Sequence, residues 1–212
     1  MDEYRRIRNR MLGERIIKGL ESRNMEGYYA ETGEEALKKA LELIPQGSSV
    51  GWGGSMSIQE IGLIKEVCSG NYKVYNRDAC ADLKEKRETE LAIFDCDYLL
   101  ASCNAITEDG VMVNIDGRGN RAAAIIWGPR NVLLIVGMNK VVKTPEEALA
   151  RARNEAAPIN AQRFPVDTPC RKTGACINCK SPDTICCQIV VTRFSKEPRR
   201  IKVILVNEDL GY

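Results

Sequence analysis

"VGWGGSMSIQEIGL" (residues 50–63) decides how the chain is read. A short apolar run ends at Trp52, Gly53 and Gly54 follow, and an amphipathic pattern opens after Ser55. Strand, tight turn, helix is the unit of layered α/β folds. Glycines at such a turn let the backbone approach a ligand closely. The helix start offers unpaired N–H groups and the positive end of its dipole to an anion. Ser55 and Ser57 add hydroxyls. No Gly-Lys-Ser/Thr follows, so this is not a Walker loop. Met56 stands where the last glycine of a dinucleotide fingerprint belongs. The plainer alternative is a tight turn with Ser55 or Ser57 as helix cap.

Outward from that stretch, strands and helices alternate. Residues 2–23 predict an amphipathic helix with Ile7, Met11, Ile16, Ile17 and Leu20 toward one side. "GYYAET" is strand-like, and Thr32 with Glu35 forms a capping box for a helix through "EEALKKALELI" that Pro45 and Gly47 stop. "YKVYN", "YLLASCNAI", "VMVNID" and "NVLLIVGMNKVV" predict strands; 81–94 and "GNRAAAII" predict helices. Thr144 and Pro145 open the helix "PEEALARARNEA". "CQIVVTRF" and "RIKVILVNE" close the chain as two strands. The pattern predicts an α/β, three-layer, Rossmann-like fold whose sheet is mostly parallel, the closing pair adding a mixed or antiparallel edge. Residues 1–212 are read as one domain with an N-terminal helical segment (1–45) and a cysteine-rich insertion (168–187).

Bulk composition excludes several classes. A net charge of +2 over 212 residues gives no electrostatic case for nucleic acid or a membrane surface. No apolar run reaches bilayer length, and the N-terminus lacks the apolar core of a secretory signal. The expected location is the cytoplasm, where thiols stay reduced. There is no histidine, so Ser–His and Cys–His pairs are excluded. Acid–base work falls to Asp, Glu, Lys, Tyr or Cys.

"SCNAITEDGVMVNIDGRGNRAA" (102–123) is dense in polar groups at predicted strand ends, where open α/β sheets bind ligands. Glu108 and Asp109 are candidates for base or nucleophile. Asn104, Asn114, Asp116, Asn120 and Arg121 are candidates for holding a carboxylate or phosphate. The "DG" and "DGRGN" pieces also read as ordinary turns.

"TPCRKTGACINCKSPDTICC" (168–187) carries five of the nine cysteines in the spacing C-x5-C-x2-C-x6-C-C. With no histidine to share a site, the segment predicts all-thiolate ligation, by Cys170, Cys176, Cys179 and Cys186. Strand alternation would turn Cys187 away from Cys186. A [4Fe–4S] cluster tolerates such irregular spacing. Zinc usually shows two C-x2-C knuckles, and only one is present. A redox dithiol at Cys176–Cys179 and a set of unligated thiols are the other readings.

With these motifs in hand, the chain resembles the lactate-utilization (LUD) domain family, related to the C protein of the bacterial lactate-utilization operon. "VGWGGSMSIQEIGL", "NAITEDGVMVNIDGRGNRAAAIIWGP", "NKVV", "NEAAPINAQR", the cysteine segment and "VILVNEDLGY" carry the resemblance across nearly the whole chain. It implies a fold of the NagB/RpiA/CoA-transferase type, shared by ribose-phosphate isomerase and glucosamine-phosphate deaminase. In that group a Gly-rich loop binds the substrate's phosphate or anionic end, which matches Gly51–Ser57 and makes Gly53, Gly54 and Ser55 the candidates there. Glu108 before Asp109-Gly110 is similar to a CoA-transferase glutamate, though at a different spacing. The expected function is a protein of organic-acid or anaerobic redox metabolism that carries a [4Fe–4S] cluster. The alternatives are an isomerase or acyl/CoA transferase with structural zinc, and a non-catalytic electron-transfer or assembly subunit. The expected partners are a small anionic metabolite, a redox partner protein and a second copy of the chain.

Overall fold

Six parallel strands form a sheet because their apolar side chains alternate between two helical layers. In chain order the computed structural model, which describes residues 2–212, begins with α1 (Glu3–Ser22), β1 (Glu26–Ala30), α2 (Gly33–Leu43), β2 (Ser49–Trp52), α3 (Met56–Glu60) and α4 (Leu63–Ser69). Next come β3 (Lys73–Tyr75), α5 (Leu83–Ile93), β4 (Tyr98–Ala101), β5 (Ala105–Thr107), β6 (Met112–Asp116), α6 (Asn120–Ile126) and β7 (Asn131–Gly137). A 3-10 turn (Met138–Lys140) leads to β8 (Val141–Val142) and α7 (Pro145–Arg151). A π-helical turn (Ala152–Ala156) joins α7 to α8 (Ala157–Ala161), and α9 (Pro169–Thr173), β9 (Gln188–Thr192) and β10 (Ile201–Val206) follow.

The main sheet has the order β1-β10-β7-β4-β2-β3, every pair parallel. Leu99, Val132, Leu134, Val203 and Leu205 face α1, α5 and α6 on one side. Leu100, Leu133, Ile135, Ile204 and Val206 face α2, α3 and α4 on the other. This period-two division between two buried faces makes the three layers and explains the near-continuous apolar runs.

The closing pair, expected to add a mixed or antiparallel edge, divides between the main sheet and a second, mixed one. β10 lies between β1 and β7, parallel to both. β9 instead joins a second, mixed sheet of order β8-β5-β6-β9, antiparallel to β6. Two runs predicted as single strands also divide between the sheets. "YLLASCNAI" breaks after Ala101 and "NVLLIVGMNKVV" after Gly137, so β4 and β7 stay in the main sheet while β5 and β8 pair in the second.

The first helix buries a different stripe from the one predicted. Asn9, Gly13, Ile16 and Leu20 face inward, whereas Ile7 and Met11 are exposed. Gly13 is required there because a Cβ would run into the Tyr29 ring. Asn9 fits because its amide donates to Asn207 Oδ1 at 2.9 Å. Both expected caps form: Thr32 Oγ1 accepts from Glu35 N, and Thr144 Oγ1 from Glu147 N. Among the described residues no helix is long and apolar enough to cross a membrane.

Candidate functional site

All six main-sheet strands run the same way, so their carboxyl ends share one edge. There the chain leaves β2 at Gly53, β4 at Ser102 and β7 at Met138. A cleft of about 460 Å³ opens over this edge, lined by Gly54, Ser55, Ser102, Cys103 and Asn104 among others. Six cations line it, Arg77, Lys86, Arg118, Arg121, Lys140 and Arg163, against a single carboxylate, Asp116. Asp116 is engaged elsewhere. Its two oxygens accept from Gly119 N (2.8 Å) and Ala122 N (2.9 Å) and so tie down the start of α6. The lining is therefore strongly positive.

Arg121 is fixed rather than free. It donates to Ser102 O (3.0 Å), Asn114 Oδ1 (2.5 Å) and Ile115 O (2.7 Å). Its stem crosses Gly53 so closely that a Cβ there would lie 2.5 Å from Cγ. Gly53 thus serves the arginine, while Gly54 and Ser55 face the cleft. Ser55 starts α3 without capping it, and its buried hydroxyl has no hydrogen-bond partner. Asn104 Oδ1 accepts from Ile115 N (2.8 Å), which joins the β4–β5 break to β6. Asn114 lies outside the cleft lining, behind Arg121, with its amide nitrogen unpartnered. Asn120 lines the cleft and donates to Glu90, a buried carboxylate that also meets Arg77 and Arg118.

Glu108 sits elsewhere. β5 runs away from the cleft: Asn104, just before the strand, lines it, and Glu108, just past the end, pairs with Arg15 of α1 at 3.0 Å. Asp109 pairs beside it with Arg23. The structure does not bring Glu108 together with the other candidates.

Several cleft residues went unassigned in the sequence. Lys140, only 2% exposed, donates to Ser57 Oγ (2.9 Å) and Ser102 Oγ (3.0 Å). Burial pulls its amine down from 10.5 to about 8, with Cys103, Arg151, Arg121 and Glu60 as its titratable neighbours. Arg151 holds the 3-10 turn in place by donating to Asn139 O (3.1 Å) and Asn104 O (2.5 Å). A lysine inside the largely apolar run 131–142 was the available signal.

The cysteine segment lies beside this cleft. Cys170, Cys176, Cys179 and Cys186 line one small cavity of about 60 Å³, closed by Pro158, Ile177, Ile185 and Ile189. Cys187 is exposed and outside it. Burial, then the sulfurs of Cys170, Cys176 and Cys179, push the Cys186 thiol up to about 11. Among the described residues no group of three or more His, Cys, Asp or Glu is drawn together so as to hold a metal ion. The helix α7–α8 touches both sites: Arg153, Ala157 and Pro158 reach the thiols, Asn160 the cleft. Its π turn follows from Pro158, which has no N–H for Asn154; Ala157 N bonds Ala152 O instead. Ile185 belongs to both linings.

The carboxyl edge of a parallel sheet inside a three-layer α/β sandwich is where open sheets of this class hold their ligands, and the basic cleft lies there. Its family is established: residues 13–206 match the LUD domain, and the chain belongs to that family. A solved DUF162 family protein from Deinococcus radiodurans is similar in fold, with a TM-score of 0.52 at 14% identity, covering 95% of this chain and 98% of that one. Ribose 5-phosphate isomerase A from Methanocaldococcus jannaschii overlaps 54% of this chain and 56% of its own, at 19% identity and a TM-score of 0.36. No curated protein matches.

Proposed function

We propose that this LUD-domain protein serves organic-acid (lactate-type) or anaerobic redox metabolism in the cytoplasm. It binds a small anionic metabolite in the basic cleft and carries a [4Fe–4S] cluster on Cys170, Cys176, Cys179 and Cys186. The observation that carries the reading is Ile185, a single side chain that lines both the four-thiol cavity and the anion cleft. The donor set fits the group: four thiols and no histidine, with Arg153 in the same lining to offset negative charge. When bound, the cluster supplies one-electron transfer.

The chain's own residues do the rest. Arg121 and Lys140 give the ligand positive charge at the cleft floor, and Ile185 stands between the cleft and the thiols. Glu108 has no part in this scheme, since its carboxylate is paired with Arg15 beyond the far end of β5. The test is anaerobic purification followed by iron and sulfide analysis and a visible spectrum. A brown protein with about four irons per chain supports the reading. A colourless protein with one zinc overturns it.

A further inference from the structure

We infer that Lys140 is the residue that receives the ligand's negative charge, and that the ligand presents a carboxylate to it. This rests on the anion-binding reading of the cleft. An ammonium has three hydrogens. Two go to Ser57 and Ser102, and the third is left for the cleft that Lys140 lines. Among the described residues no carboxylate lies within ion-pairing distance of Lys140. Its charged and titratable neighbours are Cys103 at the end of β4, Arg121 on α6, Arg151 on α7 and Glu60 on α3. Two of the four are cations. A buried cation so placed is costly until an anion joins it.

A second observation points to the same cleft. The Ser55 hydroxyl, 8% exposed and without a partner, lines the same cleft. Two unused donors at the floor match the two oxygens of a carboxylate. A phosphate would leave further oxygens to the rim.

An anion on Lys140 favours the protonated amine, so binding takes up a proton when it occurs near pH 8. The experiment is titration calorimetry of the intact protein with sodium L-lactate and, separately, inorganic phosphate, at pH 7 and pH 9. At pH 8.5 each is repeated in two buffers of different ionisation enthalpy. The expected result is lactate binding about tenfold weaker at pH 9 than at pH 7, since an amine titrating near 8 is nine-tenths neutral at pH 9. The heat at pH 8.5 should differ between buffers in the sense of proton uptake. Lys140→Met should lose at least tenfold in affinity at pH 7 and lose the buffer dependence. Ser55→Ala should weaken binding severalfold and keep the pH profile.

Wild-type affinity in Lys140→Met, or buffer-independent heat in the wild type, overturns this inference and leaves the cleft reading standing. The buffer comparison needs no variant to fold. Tighter binding of phosphate than lactate overturns the carboxylate assignment. Absence of binding by both probes overturns this inference and the cleft reading together.

Discussion

Replacing Lys140 by Met should stabilise the ligand-free protein at pH 7 and lose that advantage at pH 10. In the fold the amine titrates near 8 rather than 10.5, so below pH 8 both folded and unfolded chains carry the proton but only the folded chain holds it in a buried place. Between 8 and 10.5 the unfolded chain binds more protons, and wild-type stability rises with pH. The displacement of two to three units is worth about 3 kcal/mol at about 1.4 kcal/mol each. Met fills most of the same stem volume. The serines it abandons are not orphaned: Ser57 Oγ still reaches Leu210 O at 3.3 Å, and Ser102 Oγ reaches Cys103 O at 3.3 Å. Allowing for the two lost charged hydrogen bonds, the net gain is about 2 kcal/mol at pH 7. Urea unfolding of both proteins at the two pH values, with reductant present, measures it. The quantity to follow is the difference between them. Thiols work the other way: Cys96, pushed up to about 11 by burial, makes both proteins less stable above pH 9. A difference that is the same at pH 7 and pH 10 would refute the reasoning.

Gly53→Ala should lower stability by about 2–4 kcal/mol and abolish anion binding, because the new Cβ displaces the Arg121 stem and breaks its three hydrogen bonds; unfolding and lactate titration read both effects. Glu108→Gln should change stability by no more than about 1 kcal/mol and leave cleft binding untouched, since its partner Arg15 is two-thirds exposed. Cys186→Ser should lower iron well below the wild-type content after anaerobic purification, whereas Cys187→Ser should retain it, because only Cys186 lines the four-thiol cavity. Iron assay on the two variants side by side decides that point.

Much of the architecture was legible because burial on two faces leaves a mark in the sequence. The runs at 98–101, 131–137 and 201–206 are apolar at every or nearly every position, as central parallel strands must be. The caps at Thr32 and Thr144 were legible because their mechanism is local. What stayed hidden depends on partners distant in sequence. Periodicity placed Ile7 and Met11 inside, but the stripe of α1 is set by Tyr29 and Asn207, which no local window contains. An apolar run also does not say where it changes sheets, so the breaks after Ala101 and Gly137 were missed. Lys140 was missed with them. Glu108 looked functional beside the polar residues at 104–121 because the sequence does not tell which end of β5 faces the ligand.

Those two breaks explain why a site exists at this edge. β4 and β7 are neighbours in the main sheet, and each is followed within a few residues by a strand of the second sheet, β5 and β8, which are also neighbours. The chain thus crosses between sheets twice, side by side, and each crossing leaves polar groups that cannot join a ladder. Ser102, Cys103 and Asn104 come from the first, Asn139 and Lys140 from the second. Arg151 ties the crossings together through Asn104 O and Asn139 O, and Arg121 ties the first to β6 through Ser102 O and Ile115 O. The second sheet ends in β9, which begins immediately after Cys187. The strands that hold the cleft floor and the strand that leads out of the cysteine segment therefore belong to one sheet. A change in the thiol cavity has a short mechanical path to the cleft, through Ile185 and along the β6–β9 pair, that does not cross the main core.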